Sequence, residues 1–248
     1  MKTTVIIQAR VGSTRLPRKV LLDLGGQSVL SRVIERMQHC RHVDQVVVAT
    51  TDHALDDAIV EEAHRCQTTV VRGSEADVLD RYYQAAVHVG ATDVIRITAD
   101  CPLIDPILID RLIQQFHGRR AAGTPLDYLS NVHPRTFPRG LDAELFTTDA
   151  LRTAHREAVA TFEREHVTPF FFLNPDRFRM DNHAQQVDHS ALRWTLDEPA
   201  DLEFFQAVFR FFSKEQFIST EQVLALLEKH PEIACLNAHI EQKKLRAA

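Results

Sequence analysis

Apolar, mostly β-branched residues recur in short unbroken runs at 3–8, 45–50, 68–71 and 93–98. A run of that length without strict alternation predicts a strand covered on both faces, as in a parallel sheet. Between the runs, apolar residues return every three or four positions at about 28–40, 54–66 and 77–89, the spacing of amphipathic helices. In "ALDDAIVEEAHR" the pattern sets Leu55, Ile59 and Ala63 on the buried face and turns the acids outward. Ser28 and Asp52 stand where helices should start, since a short side-chain oxygen satisfies the free N–H groups of a first turn. Strand and helix alternating in this way predict a doubly wound α/β sheet.

The register changes near 118. "HGRRAAGTPLDY" is a charged, turn-rich break, and "NVHPRTFPRGLD" is crowded with Pro and Gly. These predict irregular chain or antiparallel strands built onto the sheet. Helical spacing returns at about 147–172, 199–213 and 219–230, and Asp105 before Pro106 should cap a helix at 107–117. No repeat or long linker interrupts the chain. The expected organisation is a single domain over 1–248, with an inserted lobe at 124–190.

Composition narrows the function classes. Hydrophobic residues at 44% and charged residues at 25% are ordinary for a water-soluble globular chain. A net charge of −5 provides no global attraction for nucleic acid or anionic membrane. The four cysteines, Cys40, Cys66, Cys101 and Cys235, are scattered and form no CxxC pair, which argues against structural zinc. Dispersed thiols and a start that enters a strand at once, without a secretory leader, lead us to expect a cytoplasmic protein.

Against that acidic background, "QARVGSTRLPRKVL" (8–21) is a local exception. Arg10, Arg15, Arg18 and Lys19 crowd around Gly12, Ser13 and Thr14 directly after the first strand. In open α/β sheets ligands bind beyond the carboxyl ends of the strands. Small residues offering backbone N–H groups, joined by Arg15 and Lys19, suit a nucleoside triphosphate there. GxxxxGK[ST] is absent, so this is not a Walker loop. Two carboxylates follow other strand ends: Asp100 after the run 94–98 in "RITADCPLIDP", and Asp197 with Glu198 in "RWTLDEPADLEFF". One carboxylate from each suits a magnesium ion bridging phosphate oxygens. Asp201 reads as an early-helix acid favoured by the helix dipole. Lys19 is expected to be exposed without ligand, and Asp100 and Asp197 to repel each other.

Several segments carry a family resemblance: "ARVGSTRLPRKVL", "GSEADVLDRYYQAA", "RITADCPLIDP", "YLSN", "RTFPRGLDAELF", "REHVTPFF" and "LDEPADLEFF". In this order, from about residue 3 to 212, the chain resembles the cytidylyltransferases of the spore-coat polysaccharide protein F group, relatives of the CMP-KDO and CMP-sialic acid synthetases. The resemblance implies a nucleotide-diphospho-sugar transferase fold, GT-A-like and Rossmann-like, with a mixed, mainly parallel sheet. It implies transfer of CMP from CTP to a sugar or sugar-acid acceptor, with Mg2+ as cofactor and a homodimer in which the lobe takes part. The catalytic set would be Arg15, Lys19, Asp100 and Asp197, the last two holding the metal. The nucleotide contacts would be Ala9, Arg10, Gly12, Ser13, Thr14, Arg15, Lys19, Arg72, Asp77, Thr98 and Asp100. The chain departs from the KDO-type pattern at Arg18, where those enzymes have Gly, at Ser28, where they have Pro, and in "TAD", where they read "QGD".

The acceptor set is expected around the irregular segment: Tyr128, Ser130, Asn131, Arg139, Asp142 and Glu144, with Glu165 and His166. Asp142 and Glu144, two apart, would share a strand face and grip two hydroxyls of one sugar ring. Arg139 would clasp an acceptor carboxylate; alternatively it pairs with Asp142 or Glu165 and only shapes the lobe. Tyr82, Tyr83 and Trp194 are expected in packing roles. Two rival functions remain: a nucleotidylyltransferase using another NTP or a phosphorylated non-sugar acceptor, and a nucleotide-binding regulator without turnover.

Overall fold

The computed structural model describes residues 1–212 and 217–242. Strand β1 (Thr3–Gln8) leads through the basic loop to α1 (Val29–Gln38), β2 (Gln45–Thr51), α2 (Asp57–Arg65), β3 (Thr69–Gly73) and α3 (Val78–Val89). There follow β4 (Asp93–Thr98), α4 (Pro106–Ala121), β5 (Tyr128–Ser130), β6 (Glu144–Thr147) and α5 (Thr148–Glu157). The remaining elements are α6 (Thr161–His166), α7 (Pro169–Phe172), β7 (Met180–Asn182), α8 (Pro199–Arg210), α9 (Thr220–Lys229) and α10 (Pro231–Cys235).

All seven strands form one sheet in the order β3-β2-β1-β4-β6-β5-β7. The first four neighbours are parallel, β6 is antiparallel to both β4 and β5, and β7 runs parallel to β5. The unbroken apolar runs follow from this. Along β1, Val5 and Ile7 enter the layer formed with α1, α4 and α8, while Ile6 enters the opposite layer with α3 and α5. A strand with both faces covered has no polar face to show. The turn-rich segment supplies β5, β6 and β7, which extend the same sheet.

Four local expectations are corrected. Leu55 is exposed, whereas Asp56 and Glu62 are buried. Residues Ala54–Asp56 form a 3-10 turn, whose tighter period takes Leu55 out of phase with Ile59 and Ala63. That turn is capped by His53, whose ring nitrogen accepts from the Leu55 N–H, and not by Asp52. The region 147–172 is three helices, broken at extended Ala158 and at Val167 with φ +72°. Before Asp197 there is no full strand but a single bridge between Arg139 and Arg193. Ser28 and Asp105 do cap α1 and α4, accepting from the N–H groups of Ser31 and Ile107. Trp194 and Tyr82 are buried in the core. The Tyr82 hydroxyl donates to the carbonyls of Ile6 and Ile97, which satisfies it. The expected C-terminal helix is present as α9, and the tail at 243–248 lies outside the described residues.

Gly140 fixes how the irregular segment lies. It has φ +100°, and a Cβ there would overlap the Trp194 carbonyl. With glycine the two chains close up: the Arg139 N–H donates to Leu192 O, and the Trp194 N–H donates to Arg139 O at 2.6 Å. This lays residues 135–142 beside the segment that leads to Asp197. Among the described residues no helix is long and apolar enough to cross a membrane.

Candidate active site

The basic loop leaves β1 at the carboxyl edge of the sheet and is rooted there by a buried acid. Asp56 accepts from the Val11 N–H at 2.7 Å and also from the Thr51 hydroxyl, joining the loop to the end of β2. Beyond this root Gly12, Thr14 and Arg15 are exposed, while the Ser13 N–H is committed to the Val11 carbonyl. Arg18 then adopts φ +55°, the left-handed region, and turns the chain into the short helix Lys19–Leu21. That turn sends Lys19 back across the sheet edge.

Two further segments meet Lys19. The Ala99 N–H donates to Gln8 O, carrying the loop after β4 alongside the loop after β1. The Leu196 N–H donates to Asp100 O at 2.9 Å, so the segment before α8 is bonded directly to the segment after β4. As a result the Lys19 ammonium lies 2.6 Å from Asp100 Oδ2 and 2.6 Å from Asp197 Oδ1. The two carboxylate oxygens lie within twice that distance of each other.

Lys19 is therefore not exposed: 14% of its side chain meets solvent, and it occupies the space between the acids. Burial pushes its pKa down, but Asp100 and Asp197 outweigh burial and hold it well above the usual 10.5. Burial likewise pushes the Asp100 carboxyl up, and Lys19 overrides it, bringing the pKa down from 3.8 to about 2. The expected repulsion between the acids is thus already neutralised. Replacing either acid by its amide leaves Lys19 short of a partner, and we expect it to lower stability rather than raise it.

Arginines surround this centre. Arg15 reaches Glu198 at 2.6 Å and Asp197 at 3.4 Å. Arg193, which no sequence motif singled out, is buried and holds Asp197 Oδ2 at 3.3 Å and Asp201 at 2.9 Å. Asp201 is fully buried, and its Oδ2 accepts from the N–H groups of Asp197 and Glu198, each at 2.9 Å. Its role at the start of α8 goes beyond the helix dipole, because it sets the backbone that carries Asp197. No sequence signal marks Arg193: 193–197 is not helical, so its four-residue spacing from Asp197 implies no contact, and the pairing depends on the fold around Asp201.

Among the described residues no three carboxylate, imidazole or thiol groups converge as a ready-made metal site. Two converging carboxylates fit a magnesium ion, which keeps waters and substrate phosphates as its other ligands.

The other nominated residues are placed as follows. Arg10 is exposed and pairs with Glu75 at 3.2 Å. Arg72 binds the carbonyls of Thr51 and His53 and the Asp57 carboxylate, bracing the loop after β2. Asp77 caps α3 and pairs with Arg164. Ala9 is buried, and Thr98 contacts Cys101 Sγ at 3.2 Å. A groove lined by Gly12, Thr51, His53, Leu55, Asp56 and Glu75 opens beside the loop, and of these only Gly12 was expected from the sequence as a nucleotide contact.

On the acceptor side, Glu144 is buried between the Tyr128 hydroxyl at 2.6 Å and Arg96 at 2.7 Å. Asp142 lies before β6 rather than in it and is held bidentately by Arg135, at 2.5 and 2.7 Å. The two acids therefore share no strand face. Asn131 braces Leu141 O and the Ala143 N–H, and Ser130 donates to Asn182. Glu165 is exposed; His166 is half-buried, and burial pushes its pKa down. Arg139 is half-buried and forms no ion pair among the described residues. Burial and the positive charge of Arg135 both disfavour its charge, so an arriving anion would relieve it.

Comparison with known proteins shows the family. The cytidylyltransferase family model matches residues 4–228. An uncharacterised protein of Methanocaldococcus jannaschii is 35% identical over 99% of this chain and 98% of its own length. The spore coat polysaccharide biosynthesis protein SpsF of Bacillus subtilis is 30% identical over 92% of this chain and 95% of its own. A cytidylyltransferase structure from Leptospira borgpetersenii matches with a TM-score of 0.90, at 32% identity, covering 98% of this chain and all of that one.

Proposed function

Because the chain belongs to the cytidylyltransferase family, a group of CTP-dependent nucleotidyltransferases, we propose that it transfers CMP from CTP to a sugar acid used in polysaccharide synthesis. A hydroxyl oxygen of the acceptor attacks the α-phosphorus in line and forms the new P–O bond, its proton passing to solvent water. The bond to the α,β-bridging oxygen breaks, and pyrophosphate leaves with the electron pair. Such a displacement is catalysed chiefly by positioning and by stabilising charge.

The observation that carries this reading is the convergence of Lys19 and Arg15 on Asp100 and Asp197 at the sheet edge. When the triphosphate enters, Lys19 and Arg15 exchange carboxylate contacts for phosphate oxygens, and the exposed loop at Gly12 and Thr14 wraps the phosphates. The groove beside Leu55 and His53 is the proposed seat of the nucleoside. Asp100 and Asp197 would hold magnesium, which when bound neutralises phosphate oxygens. Arg139, a cation with no counter-ion among the described residues, is the proposed clasp for an acceptor carboxylate.

The test is pyrophosphate release from each ribonucleoside triphosphate against a panel of neutral sugars and sugar acids. We expect release with CTP plus a sugar acid. Release with another nucleotide but not with CTP, or with no pair at all, sinks the proposal.

A further inference from the structure

The segment that follows α9 reaches the support of the catalytic centre. Val223, Leu226, Leu227 and Ile233 anchor α9 and α10 in the core beside α8. The chain then places Asn237, 2% exposed, under the Asp197 loop. Its amide nitrogen donates to Asp201 Oδ1 and to the Arg193 carbonyl, both at 2.9 Å. Arg193 Nη1 donates in turn to Gln242 at 2.6 Å. Both residues lie beyond position 228, where the family match ends.

Asn237 holds the two groups that hold Asp197. Asp201 fixes the Asp197 backbone through its Oδ2, and Arg193 meets the Asp197 carboxylate itself. With Asn237 in place, Asp201 Oδ1 has two donors, Arg193 Nε and the amide. Loss of the amide would leave the Arg193 carbonyl without that donor in a buried site, a situation a chain relieves by shifting. A shift of the Arg193 carbonyl is passed along the segment 193–197, which carries the carboxylate.

We propose that Asn237 is a positioning residue for Asp197, so that the C-terminal segment sets the geometry of the carboxylate pair. The inference rests on the proposed reaction only for the use made of that pair. Groups that hold a ligand directly govern metal affinity or activity by about 10–100-fold; Asn237 acts one step further out, through Arg193 and Asp201, so the lower end of that range is expected.

The test uses full-length protein, with Mn2+ as the probe ion, followed by electron paramagnetic resonance in the presence of a non-hydrolysable CTP analogue. Wild type must first bind Mn2+ and release pyrophosphate from CTP; its failure to do so counts against the proposed function and not against Asn237. In Asn237→Ala we expect Mn2+ affinity and kcat to fall together by about 10-fold or more, with KM for CTP within about twofold of wild type. Asn237→Asp, which keeps the shape but replaces the donors with acceptors facing Asp201, should show at least the same loss. Ile233→Ala, which loosens the same segment through packing, should lower the thermal midpoint and leave Mn2+ affinity intact. A fall in midpoint for Asn237→Ala with wild-type Mn2+ affinity and kcat overturns the proposal, as does an equal loss of affinity in Ile233→Ala. If Asn237→Ala does not fold, Gln242→Ala at an exposed position tests the same Arg193; a several-fold loss of Mn2+ affinity supports the proposal and none overturns it.

Discussion

At Lys19 one ammonium bridges two carboxylates, 2.6 Å from each, where a divalent ion would also sit. Without that ammonium the two acids would repel by roughly 3 kcal/mol at about 5 Å and an effective dielectric near 20. Lys19→Met should therefore bind Mn2+ in the absence of nucleotide about 10-fold more tightly than wild type, while turnover falls by about 10²–10³-fold. Paramagnetic resonance titration measures the first effect; equal affinities would mean that the ammonium does not hold the cation position. Asp100 gives a matching pH dependence. Its folded pKa of about 2 lies below the ordinary 3.8, so its ionised form stabilises the fold above about pH 4. That contribution is lost as pH falls through about 2. Thermal midpoints recorded from pH 5 to pH 2 should fall more steeply in wild type than in Asp100→Asn. Parallel curves would show that Asp100 gains nothing from Lys19.

The basic loop works as an element because both its ends are fixed. Asp56 anchors the Val11 N–H, and the left-handed turn at Arg18 directs Lys19 inward. A non-glycine residue at φ +55° is held there against its own preference, at about 1 kcal/mol. Arg18 is exposed and pairs with no acid among the described residues, so its side chain offsets little of that cost. Arg18→Gly should raise the thermal midpoint by about 2–4 °C, less what glycine loses by its freer unfolded chain. Calorimetry checks this, and a lowered midpoint would show that the guanidinium contributes contacts beyond those described. The departure at Arg18 thus sets a non-glycine residue in a turn that itself favours glycine.

For the whole molecule, the site depends on three separate segments meeting at one edge of the sheet. The Leu196–Asp100 backbone bond joins two of them, and the close approach at Gly140 adds the segment that carries Arg139. Arg139 thus stands on the same side as Arg135 and Arg193, whose charges oppose its own. Arg139→Ala should raise KM for an anionic acceptor by about 10-fold or more, a loss of at least ~1.4 kcal/mol in binding, and leave CTP affinity unchanged. Steady-state kinetics with calorimetry for CTP decides it. Equal losses for both substrates, or a true acceptor that is neutral, would remove the carboxylate clasp.

The sequence alone determined the parallel half of the sheet and the loops that leave it. Residues such as Val5, Ile6 and Ile7 are apolar because both faces of their strand are covered, and that requirement shows in any short window. The basic loop and the acid after β4 were also legible, because each lies within a few residues of its strand end. The short strands β5, β6 and β7 were legible only as a change of pattern, since three or four residues hold too little periodicity to report a strand. Tertiary structure alone decided the partners: Lys19 between Asp100 and Asp197, Arg135 rather than Arg139 on Asp142, and Asn237 beneath Asp201. Periodicity tells which face of an element is buried. An ion pair depends on placing particular atoms within about 3 Å, and that placement comes from contacts far apart in the chain, such as Trp194 against Gly140.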